Sequence, residues 1–171
     1  MRTAFLGAAI SAALITLTAC GSANDADVAF AQRMIPHHAQ AVEMADLVDG
    51  RTTNPEVVEL ATAVKKAQQP EIDTLTGWLE AWGEPVEAGH SGHSGDDMAG
   101  MVDTSALTGL TGADFDRAWL TAMVEHHEGA LDMANQQLSA GSDDKVKQFA
   151  AGVFAAQRAE IDEMKALLER G

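Results

Sequence analysis

The chain has 171 residues, enough for one domain with a core of its own. It is acidic, with 26 Asp and Glu against 11 Lys and Arg and a formal net charge of −15, which argues against binding nucleic acid or an anionic membrane face through charge. Tyr is absent and aromatics make up 5%, so the core must be built from aliphatic residues, Ala and Met.

Residues 1–19 read as a secretory signal. Arg2 precedes an apolar run from Ala4 to Ala19 that is short for a membrane span. The stretch Leu17-Thr18-Ala19-Cys20 resembles a bacterial lipobox. That resemblance implies cleavage before Cys20, lipid on its thiol, and an extracytoplasmic lipoprotein held at the bacterial cell membrane, with residues 20–24 as tether. Cys20 is the only cysteine, so no intramolecular disulfide is expected.

Helical periodicity then runs from Asp25 to Asp49 and stops at Gly50. Thr53 and Glu56 offer a capping box with Pro55 in the first turn, so a second helix starts there and reaches about Trp82. Residues 25–82 form a first helical hairpin. Pro36 and Pro70 fall inside its helices, and each is expected to free a carbonyl and bend its helix. Residues 83–110 are rich in Gly, Ser, Asp and His and read as a linker. A cap at Thr111 to Asp114 opens a third helix to about Ser139. Gly141 and Ser142 divide it from a fourth, Asp143 to Arg170, which completes a second hairpin over 111–171. No segment alternates like a strand. The expected fold is all-α, a four-helix bundle made of two hairpins, with residues 25–171 as one bundle domain.

One word occurs twice: MIPHHAQAVEMA at 34–45 and MVEHHEGALDMA at 123–134. The offset of 89 residues pairs Met34 with Met123, His37 with His126, His38 with His127 and Met44 with Met133. It also pairs Phe30 with Trp119 and Ala41 with Ala130, and it continues ungapped through AQQPEID at 67–73 and AQRAEID at 156–162. A constant offset over two segments reads as an internal duplication.

At about 100° per residue, His37 lies in the middle of an apolar stripe with Phe30, Met34, Ala41, Met44 and Val48, and His38 lies on its flank. His126 and His127 repeat this. Gln68 and Gln157 sit on the inward stripes of the second and fourth helices, so each half also aims a Gln at the core. Imidazoles in an apolar interior need a hydrogen bond or a bound group. One reading is a buried polar pair, or a His–carboxylate bond with Glu71 or Glu160. The other is a metal, and two His pairs bracketed by Met at one spacing favour it. Ala41 and Ala130 leave room one turn beyond the inward His. Imidazole with thioether and no Cys selects copper, Cu(I) ahead of Cu(II). The linker repeats the chemistry in GHSGHSGDDMAGM, whose His90, His93, Met98 and Met101 are suited to collecting copper loosely, while Asp96 and Asp97 suit Cu(II).

These words resemble the family called domain of unknown function 305, over Phe30 to about Leu168. The resemblance implies an exported, often lipid-anchored, ferritin-like helical bundle, and some members bind copper and help copper tolerance. Carried over residue by residue, it implies Met34, His37, His38, Met44, Met123, His126, His127 and Met133 as ligand candidates. The expected function is copper buffering, tolerance or delivery, with no enzymatic step. Two alternatives remain. A ferritin-like di-metal oxidase needs bridging Glu and Glu-x-x-His on paired helices, and none of the predicted helices carries Glu-x-x-His. A non-metal surface interaction module fits the acidic face, yet no protein partner is identified. Homo-oligomerisation is left open.

Overall fold

Asn24 starts the first helix. Its side-chain oxygen accepts from the N–H groups of Ala26 and Asp27, and the Asp27 carboxylate accepts from the Asn24 N–H. This reciprocal cap satisfies donors that a helix start leaves open. The computed structural model describes residues 23–86 and 100–170. Among them stand four long helices: α1 (Asp25–Asp46), α2 (Pro55–Trp82), α3 (Gly112–Ala140) and α4 (Asp144–Arg170). The all-α, four-helix expectation is met. The signal segment, the tether with Cys20, and His90, His93 and Met98 of the linker lie outside the described residues. No described helix is long and apolar enough to cross a membrane.

Three local details differ from expectation. Helix α1 ends at Asp46, and the chain then turns through Gly50, whose φ of +70° is open to a residue without Cβ. The cap of α2 is Asn54, which accepts from the Glu56 N–H at 3.1 Å, and Thr53 plays no part in it. The linker is also ordered at its C-terminal end. Residues Thr104–Leu107 form a 3₁₀ turn capped by Asp103, and Leu107 is buried in the core. One apolar residue in a polar stretch has no period to reveal it. Helices α1 and α2 run continuously through Pro36 and Pro70.

Helix α2 packs along α1, α4 along α3, and α1 faces α3. Every helix carries two apolar segments that enter different clusters. One cluster holds Met44, Val48, Val57, Leu60, Val64, Phe115, Trp119, Met123, Ile161 and Met164. The other holds Phe30, Met34, Leu75, Leu79, Met133, Val146 and Val153. Between the two segments of each helix comes a buried polar residue or pair: His37 and His38, Gln68, His126 and His127, Gln157. The bundle is thus a polar layer held between two apolar halves. Trp119 secures the α1–α3 contact by donating its indole N–H to the Met44 carbonyl at 2.8 Å.

Candidate metal centre

All four histidines of the repeated words are fully buried, at 0% exposure. The flank position expected of His38 and His127 is no less buried than the inward one, because α2 and α4 close over it. His38 Nε2 stands 2.8 Å from Glu71 Oε2, and His127 Nε2 stands 2.7 Å from Glu160 Oε2. The carboxylates expected as partners for buried imidazoles therefore go to the flanking rings. A carboxylate only accepts, so each of these Nε2 atoms is the N–H donor, and in the neutral ring Nδ1 keeps the lone pair. His126 Nε2 donates to the His37 backbone carbonyl at 3.0 Å, which sets its ring the same way. The rings of His37 and His126 lie face to face, 3.7 Å between centroids and 33° between planes.

Among the described residues, five ring nitrogens in this layer are buried without a hydrogen-bond partner: both of His37, and Nδ1 of His38, His126 and His127. Both polar atoms of Gln68 and of Gln157 are in the same condition. Burying polar atoms unpaired is costly, so this concentration needs a reason. Protonation does not supply one. Burial first, then repulsion from the neighbouring imidazoles, pushes His37 down to about 2 and His126 down to about 3. Both rings stay neutral at physiological pH, the form in which imidazole ligates a metal. A ligating His commonly donates its other ring N–H to a carboxylate or backbone carbonyl, and three of these rings do so. The residues present fit a metal.

The four methionines of the repeated words are at most 2% exposed and border the layer on both sides. Met34 and Met133 lie in one apolar cluster, and Met44 and Met123 in the other. The structure thus sorts into two pairs the candidates that the sequence left as one group, each pair taking one Met from each half. Ala41 and Ala130, also fully buried, divide in the same way. Among the described residues no group of three His, Cys, Asp or Glu is set to hold a metal by itself. Of the linker candidates only Met101 is described. It is half-buried beside Val102, whose backbone is held by Gln40. Sequence reasoning missed Gln40, because nothing in its own helix marks a partner 62 residues away.

Known proteins share this architecture. A DUF305 protein from Streptomyces coelicolor matches with a TM-score of 0.79 and 33% identity, over 85% of this chain and 93% of that one. A DUF305 fragment from Deinococcus radiodurans matches with a TM-score of 0.79 and 28% identity, over 87% and 99%. CopM in its Cu(II)-bound form matches with a TM-score of 0.74 and 29% identity, over 84% and 96%. CopM also has Cu(I)-bound, Ag-bound and apo structures. Among curated proteins, Uncharacterized protein L153 of Acanthamoeba polyphaga mimivirus is 35% identical over 54 residues, and the chain spans about a third of its length, 36%. A family model described as Domain of unknown function (DUF305) matches residues 27–168, and the chain belongs to that family.

Proposed function

We propose that this chain is an extracytoplasmic copper-binding protein, tethered through lipid on Cys20, that buffers or delivers Cu(I) without catalysing a reaction. The observation that carries the reading is the polar layer: four buried imidazoles whose Nδ1 atoms have no partner among the described residues, bordered on both sides by buried thioethers. Thioether and imidazole together select soft Cu(I). Two equivalent sites follow from the sorting of the methionines. One draws on Met34, His38 and Met133, the other on Met123, His127 and Met44. His37 and His126 stand between them. Copper-bound and silver-bound CopM supports the choice of ion, since Ag(I) shares the softness of Cu(I).

The test is an anaerobic Cu(I) titration of the purified protein against a competing chelator. A His38→Ala/His127→Ala variant and a His90→Ala/His93→Ala variant are titrated beside it. Tight binding that falls sharply in the first variant and little in the second supports a core site. Equal losses would place the main site in the linker, and retention of iron or manganese instead of copper would revive the di-metal oxidase.

A further inference from the structure

The segment Gly100–Val102 lies across α1 and α3 at the level of the facing histidines. Gln40, three residues past His37, takes both backbone groups of Val102. Its amide Nε2 donates to the Val102 carbonyl at 3.0 Å, and its Oε1 accepts from the Val102 N–H at 2.9 Å. At the other end Gly100 rests directly on α3. A Cβ there would stand 2.6 Å from Gly129 Cα and 2.8 Å from the His126 carbonyl oxygen, and its φ of +78° also suits glycine alone. Val102 packs on the apolar cluster that holds Met44 and Met123.

Gln40 and Gly129 are equivalent positions, each three residues past its inward histidine. At about 100° per residue both lie about 60° to one side of that histidine, and His38 and His127 lie about 100° to the other. Helices α2 and α4 cover the His38 and His127 side, where Glu71 and Glu160 meet the rings. The strap covers the opposite side. Thus one position of the repeat serves both ends of one strap, as an amide that grips it on α1 and a glycine that makes room for it on α3.

We propose that Gly100–Val102 is the closure of the histidine layer, that Gln40 is the positioning residue that latches it, and that the route to the His37 and His126 rings runs through its release. The latch is two hydrogen bonds from one side chain, so it opens at far less cost than the bundle unfolds. That the passing ion is copper rests on the function proposed above; the closure itself does not.

The experiment treats metal-free wild type, Gln40→Ala and Gly100→Ala with diethyl pyrocarbonate and follows modification of His37 and His126 by tandem mass spectrometry. The two variants loosen the strap from opposite ends and remove no imidazole or core thioether. The expected result is modification about tenfold faster in both, at wild-type helix content. Extraction of bound Cu(I) by a chelator should quicken by a similar factor. Equal modification rates in all three proteins would overturn the closure. A wild type that ignores Cu(I) would sink the copper reading instead, with the modification rates still deciding the strap.

Discussion

Glu71 and Glu160 do the same thing at equivalent positions. Each accepts from the Nε2 of a flanking histidine, fixes the ring and leaves Nδ1 pointing elsewhere. Loss of such a partner typically costs about 10- to 100-fold in metal affinity. Glu71→Gln and Glu160→Gln should each weaken Cu(I) binding by that order in competition titrations, whereas the exposed Glu128, paired with Lys165 at the surface, should tolerate the same change. The inward pair makes a different prediction. Unfolded, each imidazole takes a proton near 6.5, but folded His37 and His126 refuse it until about 2 and about 3. As pH falls below about 6.5 the unfolded chain binds protons that the folded chain does not. Stability of the metal-free protein should therefore decline from there toward about pH 3, by about 1.4 kcal/mol per pH unit for each ring, and stay level above 6.5. Urea midpoints measured between about pH 7 and about pH 4 check this, and equal midpoints would contradict it. The inward setting of His37 and His126 was legible from the helical period. The complete burial of His38 and His127 was not, because it depends on how closely α2 and α4 approach, which no single helix encodes.

At the scale of elements, the helix termini hold the bundle in register. Asp27 is fully buried in the first turn of α1, yet it caps the far hairpin. Its carboxylate accepts from the N–H groups of Ser142 and Asp143 and from the Gln137 amide. Burial pushes this carboxyl up, but the bonds from Asn24, Gln137, Ser142 and Asp143 outweigh it and hold it below its ordinary value. Asp116 is the equivalent residue in α3 and accepts from the Asn54 side chain at 3.1 Å, yet its Oδ1 is buried without a partner. Gln137 in α3 corresponds to Val48 after α1, which has no donor to offer, and among the described residues the Ser142 and Asp143 N–H groups that meet Asp27 have no counterpart at Asp116. Asp27→Ala should then cost about 2–4 kcal/mol of stability, since it strands the buried Gln137 amide and releases the turn at Ser142 and Asp143, and Asp116→Ala clearly less. Chemical denaturation of the two variants measures the gap, and equal losses would remove the clamp from α1. The helices were visible in the sequence because apolar period and Gly or Asn boundaries coincide. The clamp was not, because an acidic residue in a first turn ordinarily serves its own helix.

At the scale of the whole molecule, the contacts of the flanking histidines repeat at one offset. His38 meets Glu71 and His127 meets Glu160 across the same separation of 33 residues, and the methionines pair across the halves. The two sites proposed above should load with similar affinity and stabilise the fold together. At a free ion concentration of about 100 times Kd, each site adds about 2.7 kcal/mol, a rise in Tm that a thermal melt with Cu(I) or Ag(I) registers. The repeat and the layer it builds were readable from the spacing of the His and Met residues alone. Which methionines lie together was not, because that depends on α1 and α3 crossing at the histidines.

Copper-edge anomalous diffraction from crystals of the Cu(I)-loaded protein bears most directly on the histidine–methionine layer. Peaks are expected inside the bundle, beside Nδ1 of His38 and of His127, one toward Met34 and Met133 and the other toward Met44 and Met123. Peaks confined to the linker or the surface, or no peak at all, would contradict a copper site in the core.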